Sequence, residues 1–264
     1  MSKKFWFIII GLIAIVAVAT IFYFRPKSKF ISIPNNPASQ ICQKINQEGL
    51  KYLCLARVNS DEKFCDTLNS NPKNICLAAL KKDDSFCQKI SRDNRQYCYQ
   101  NLVSASGQAS FCDNLGNPEE ISACYVHFVS TNYFVSNLSV INPSMCDKVL
   151  RDQPEHDMCM AMATQNAGAC NPASIDCRAY ITKDISLCAK SASKTDEGEC
   201  YHALAMLNKN SQICEKIDSL EAKGDCYQDY SRLSTDEALC ANISNSNQRD
   251  QCLYNIAFNI SNGR

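Results

Sequence analysis

Apolar side chains in this chain recur at fixed offsets from cysteine. Nine cysteine couples run along it, and the position before each first cysteine is apolar every time: Ile41, Phe64, Phe86, Phe111, Met145, Ala169, Leu187, Ile213 and Leu239. Three places after it stand Ile45, Leu68, Ile90, Leu115, Val149, Ala173, Ser191, Ile217 and Ile243, with serine the one polar exception. Those two positions are four apart, which stacks them on one helical face. Four places before the cysteine, seven of the nine couples carry Asp61, Asp83, Asn142, Asn166, Asp184, Asn210 or Asp236, residue types whose side-chain oxygen satisfies an orphan amide of a first helical turn. Pro143 follows Asn142 as a favoured first helical residue. The pattern predicts a first helix of about two turns.

The second cysteine marks a second helix. Four places after it come Val58, Leu80, Leu102, Phe128, Ala163, Ile181, Leu204, Tyr230 and Ile256, and a bulky apolar residue often follows it directly, as at Leu55, Leu77, Tyr99, Tyr125 and Tyr227. Asn71-Pro72 reads as the start of one such helix. A few polar residues such as 91–94 separate the two, so each unit is an αα-hairpin.

The spacing within a couple is 12, 11, 11, 12, 13, 7, 12, 12 and 12, whereas the gap between couples wanders from 11 to 22. A hairpin that turns midway between its cysteines brings them face to face. Axes about 8–10 Å apart with Cα atoms ~2.3 Å off each axis leave roughly 4–5 Å between Cα atoms, at the short end of disulfide range. In-unit pairing follows: Cys42–Cys54, Cys65–Cys76, Cys87–Cys98, Cys112–Cys124, Cys146–Cys159, Cys170–Cys177, Cys188–Cys200, Cys214–Cys226 and Cys240–Cys252. The opposite phase, each second cysteine joined to the next first one, strands Cys42 and Cys252. Helices this short are marginal alone, and a 22-residue unit encloses no core. Each staple contributes about 2–4 kcal/mol, and stacking buries the apolar stripes between units. The fold class is all-α, a disulfide-stapled αα-hairpin repeat forming a short-period α-solenoid. It resembles a tetratricopeptide-like solenoid in architecture only, for none of that family's signature residues occur.

Two places break the period. Val129 to Ile141 widens one inter-unit gap to 22, either as a structural filler between sub-stacks or as a contact surface. The sixth unit, Cys170 to Cys177, is too short for two full helices and reads as a disulfide-closed loop at a bend.

Phe5 to Phe24 is an uncharged run of 20 residues, long enough at 1.5 Å per residue to cross a membrane, with Trp6 and Tyr23 near its ends. The expected organisation is a cytoplasmic stub at 1–4, a single-pass transmembrane anchor at 5–24, a proline-containing tether at 25–37 and the repeat domain at 38–264, irregular at 129–182. Ala17-Val18-Ala19 resembles a signal-peptidase site, but the apolar run continues past it, so an uncleaved signal-anchor is expected. Eighteen cysteines imply an oxidising space (periplasm, cell surface or secretory lumen) for everything after the anchor.

The chain is neutral as a whole, but its first 29 residues hold five basic and no acidic side chains. The rest carries 22 basic against 27 acidic, a net of −5, which gives no support for nucleic-acid binding, and no nucleic-acid partner is expected. No redox, zinc, phosphate-loop or serine-nucleophile motif occurs, so no cofactor and no enzymatic activity are expected. The one cluster with chemical flavour is His156-Asp-Met-Cys-Met-Ala-Met162 with Met145. Its thioethers suit copper(I), but Met158, Met160 and Met162 fall where another unit has Ile75, Leu77 and Ala79, so they read as core. His127 and His202 have no acidic or cysteine companion at catalytic spacing. Asn137, Asn242 and Asn259 head Asn-x-Ser triplets, candidate glycan sites of low specificity. The expected function is a membrane-anchored, extracytoplasmic module that binds or scaffolds a protein or envelope component through the concave face of its stack. The alternatives are a soft-metal binder of the envelope and, last, an unrecognised envelope enzyme.

Overall fold

The computed structural model of the protein describes residues 32–134 and 140–263, and every regular element among them is helical. The run Phe5–Phe24 and the tether up to residue 31 lie outside the described residues. Among those described, no helix is long and apolar enough to cross a membrane.

The first two units are α1 (Pro37–Gln43) with α2 (Glu48–Asn59), then a 3-10 arm (Glu62–Thr67) with α3 (Ser70–Lys81). The third and fourth are α4 (Ser85–Gln88) with α5 (Arg92–Ser106), then a 3-10 arm (Ala109–Asn114) with α6 (Pro118–Phe134). Next come α7 (Pro143–Cys146) with α8 (Pro154–Thr164), and Ala167–Ala169 with α9 (Ile175–Thr182). The last three are Ile185–Lys190 with α10 (Lys194–Leu207), Ser211–Lys216 with α11 (Leu220–Tyr230), and Glu237–Asn242 with α12 (Ser246–Ser261). All eighteen cysteines pair inside their units, from Cys42–Cys54 to Cys240–Cys252, so none is free. Their Cα atoms lie between 5.4 and 5.9 Å apart, slightly wider than the simple axis geometry gives.

The first arms differ from expectation. Only α1, at seven residues, is the two-turn α-helix expected; the others are mostly six-residue 3-10 segments or single α-turns. In a 3-10 segment side chains three apart eclipse, which lines the first cysteine up with the apolar residue three places on. Leu68, Leu115, Ile217 and Ile243 then take extended backbone and end the arm; the last three enter the core, while Leu68 is half-buried. The Asp and Asn caps act as read. Side-chain oxygens of Asp61, Asp83, Asn142, Asn166, Asp184, Asn210 and Asp236 each accept a backbone N–H two or three residues on.

Five of these caps also close the preceding helix. The N–H groups of Asp61, Asp83, Asn166, Asp184 and Asn210 donate to the carbonyls of Ala56, Ala78, Ala161, Ala179 and Ala205, five residues back. The residue between, Ser60, Lys82, Gln165, Lys183 or Lys209, sits at positive φ, the geometry of a Schellman turn. None is glycine, so each such residue costs on the order of 1 kcal/mol. The hydrogen bonds on both sides of the turn hold it there. One residue thus stops one helix and starts the next.

Helix α3 begins at Ser70 after Asn69, so Asn71 and Pro72 lie inside its first turn, where a missing N–H is tolerated. The sixth unit is not merely a loop: a 3-10 turn and the two-turn helix α9 flank its disulfide. The insertion after Val129 continues α6 to Phe134, and Val140 and Ile141 re-enter the cores; positions 135–139 lie outside the described residues.

Consecutive units touch all the way along, and the last touches the first: α12 packs against both α1 and α2. The stack is therefore a closed circuit, not the open curved solenoid expected. The joint is polar as well as packed. The Asp250 carboxylate accepts from the Asn46 and Gln47 N–H groups at 3.0 and 2.8 Å, and Lys44 pairs with Glu237 at 2.6 Å.

Candidate functional site

Second helices line a cavity of about 370 Å³ within this circuit. Its wall comes from α2, α5, α6, α11 and α12 and the turns that follow them; no first arm contributes. The regularity behind this is one register position. Three places after the second cysteine come Arg57, Asn101, His127 and Asn255, all in the wall, and Asp229. The corresponding residues of the other units are Ala79, Met162, Tyr180 and Ala203.

Arg57 belongs to the first unit and meets the last. Its guanidinium lies 4.1 Å from the centre of the Phe258 ring and 5.7 Å from that of Tyr254, whose hydroxyl it also contacts. Stacking on a ring face suits a weakly hydrated, planar cation. Among the described residues Arg57 forms no ion pair, and no Asp or Glu stands in the cavity wall. The wall's second guanidinium, Arg232, is matched: its Nε lies 3.3 Å from Asp229 Oδ1. Asp229 Oδ2 in turn lies 3.4 Å from His202 Nε2. Burial pushes the Asp229 carboxyl upward, but the His202 hydrogen bond and the Arg232 charge outweigh it and hold it below the ordinary value.

His127 places Nε2 2.8 Å from Ser104 Oγ. Burial, then the Arg232 charge, push its pKa down to about 4. The ring is neutral at physiological pH and too weak a base to activate the Ser104 hydroxyl, since general bases work best near the operating pH. This pair serves as a polar wall. Carboxamides supply most of the remainder. Asn255 and Asn259 donate inward to Gln228, Ser231 and Ser234 and brace the wall, whereas the Gln100 and Gln228 side chains make no hydrogen bond among the described residues.

The sequence-level candidates divide. His127 is in the cavity wall; His202 lies behind it beside Asp229, a companion 27 positions away that sequence spacing does not disclose. The methionines divide between two cores. Met145 packs on the core around Tyr99 and Phe128, while Met158, Met160 and Met162 join another around Val129 and Tyr180. His156 lies beside Asp157, 3.5 Å away. Among the described residues no cluster of three or more His, Cys, Asp or Glu is disposed to hold a metal ion. With every cysteine oxidised, a copper site built from thiols is ruled out. Asn259 is buried with its amide nitrogen engaged, so its triplet is closed to glycosylation in the folded protein. Asn242 is exposed, and Asn137 lies outside the described residues.

No family model matches this chain, and no curated protein or solved structure shows detectable similarity to it. The disulfides assign the domain to an oxidising, extracytoplasmic or secretory space.

Proposed function

We propose that this protein is an extracytoplasmic binding module, held to a membrane by the apolar segment Phe5–Phe24, that engages a protein or envelope component at the mouth of its central cavity. The observation that carries this reading is the convergence of one register position from several units on one concavity. Arg57, Asn101, His127 and Asn255 are polar at a register position that other units fill with Ala79, Met162, Tyr180 and Ala203; Arg57 and Asn255 also tie units together, but that role does not require Asn101 and His127 to face the same concavity. A cavity of a few hundred Å³ with convergent polar groups is the usual form of a ligand site. The cross-linked frame supports it, because a rigid site loses little conformational entropy on binding. The uncharged 20-residue run supports the anchor.

Site-specific photocrosslinking in the native membrane tests it. A crosslinker at Tyr97, exposed at the cavity mouth, is expected to give a discrete adduct, while one at Leu220, exposed but outside the wall, gives none. Adducts at neither position, or the same adducts at both, would refute the reading. Protease protection of the intact chain in sealed vesicles checks the anchor, which fails if the repeat domain is released without detergent.

A further inference from the structure

Resting on that reading, we infer that the central cavity recognises a single carboxylate on a small ligand rich in hydroxyl or amide groups, with Arg57 as the carboxylate receptor and the carboxamides of the wall holding the ligand's body. Charge counting sets the first half. The wall holds two guanidiniums and a neutral imidazole, and Asp229 neutralises Arg232 at 3.3 Å. One positive charge is left uncompensated, on Arg57. A guanidinium presents parallel N–H donors that match a carboxylate in a two-point pairing, and its charge equals one carboxylate's. A phosphate monoester, with nearly twice that charge at neutral pH, would be left partly unmatched.

Preorganisation favours the same assignment. Phe258 fixes the plane of the Arg57 guanidinium from below at 4.1 Å, and the Tyr254 hydroxyl fixes one edge. Side-chain entropy that a free arginine loses on pairing is already spent here.

The wall's neutral groups set the second half. Gln100 and Gln228 each keep a donor and an acceptor uncommitted among the described residues, and Ser104 adds a hydroxyl beside His127. Such pairs match groups that both donate and accept, hydroxyls and amides, and offer an apolar tail nothing. Two sources share this chemistry: a sugar acid and the C-terminal end of a short peptide.

The test is calorimetric titration of the intact chain in detergent with glucuronate, glucose, N-acetyl-alanyl-alanine and its C-terminal amide, with inorganic phosphate as the competing anion. Binding of glucuronate or the peptide acid is expected, at least tenfold tighter than its neutral counterpart and tighter than phosphate; which acid binds names the source. Arg57→Gln should weaken that binding at least tenfold. Because Arg57 also bridges the first and last units, Gln100→Leu serves as a second variant, at a glutamine whose side chain makes no hydrogen bond among the described residues, and should weaken binding severalfold. The inference falls if neither acid binds at millimolar concentration, if neutral probes bind equally well, if phosphate binds tighter, or if both folded variants bind like the parent. A Tyr97 adduct persisting in the native membrane despite such a result would leave the binding module standing and remove only the carboxylate.

Discussion

The Asp250 carboxylate in the last helix accepts the backbone N–H of Gln47 in the first hairpin at 2.8 Å, and that of Asn46 at 3.0 Å. Gln47 is the cap position of α2 and makes no side-chain cap of its own; its backbone N–H is held by a carboxylate some 200 positions away. The contact repeats a device used inside the stack. Ser122, like Asp250 two places before the second cysteine of its unit, accepts the Leu150 N–H of the next unit at 3.0 Å. Leu150 and Asn46 both stand four places after a first cysteine. The ninth unit thus addresses the first as the fourth addresses the fifth.

Removing Asp250 should therefore loosen the closure specifically. Asp250→Ala removes the acceptor that the Asn46 and Gln47 N–H groups share and is expected to cost about 1–2 kcal/mol of unfolding free energy. Ser122→Ala, with one such group, should cost about 1 kcal/mol. Urea denaturation under non-reducing conditions measures both, and an Asp250→Ala protein as stable as the parent would show that closure contributes nothing.

Much of this architecture is legible in one dimension because cysteine fixes the register. The caps at Asp61, Asp184 or Asp236 and the apolar residues flanking each cysteine follow from local chemistry, which short-range patterns carry. Closure does not. Asp250 and Asn46 are polar residues in ordinary surroundings, and only the accumulated rotation from unit to unit brings them together. The same holds for Asp229 with His202, and for Arg57 with Phe258. A trace of the cavity was nevertheless readable. The position three after the second cysteine is Arg57, Asn101, His127, Asp229 or Asn255 in five units, although its neighbours one and four places after that cysteine are mostly apolar. Polar residues on a periodic, half-buried stripe mark a surface facing a shared interior. The non-glycine left-handed caps such as Lys82 and Lys183 left no such trace, because lysine after a helix reads as a solvated end.

Gly198 and Gly224 occupy the same register position as Asp250 and Ser122, where the next unit comes close. A Cβ on Gly198 would meet Ile217 Cγ2 at 3.4 Å, ordinary contact, so Gly198→Ala should gain roughly 0.5–1 kcal/mol from helix propensity. Gly198→Leu should instead force the joint apart and cost about 1–3 kcal/mol. Opposite shifts of the thermal midpoint are expected; equal behaviour of the two variants would mean the joint is not close-packed there.

All eighteen cysteine side chains are buried, the most accessible, Cys170, only 6% exposed. Reductant should reach them only through opening of the fold, so thiol titration of native protein in mild reductant should find none, and the same titration in denaturant all eighteen. Loop length then ranks the staples. Replacing Cys170 and Cys177 by alanine, seven positions apart, should cost about 2.5 kcal/mol, and replacing Cys146 and Cys159, thirteen apart, about 3 kcal/mol. A pair whose removal leaves stability unchanged would show that packing alone holds that unit.

His127 gives the protein an acid sensitivity of defined sign. Its pKa is pushed from 6.5 down to about 4 by burial, with the Arg232 charge adding to it. Between those values the unfolded chain binds a proton that the folded chain refuses, so stability is full above about pH 6.5 and falls as pH drops toward 4. Asp229, held below the ordinary carboxylate value, loses its contribution only at lower pH, beneath this window. Glu199, raised by burial and by Asp176, opposes the trend as it takes up a proton. A difference measurement separates them. The parent should lose on the order of 1 kcal/mol more than His127→Gln between pH 7 and pH 4.5, a figure discounted for the ring's partial exposure. Urea midpoints at the two pH values decide it, and parallel losses in both proteins would place the acid sensitivity elsewhere.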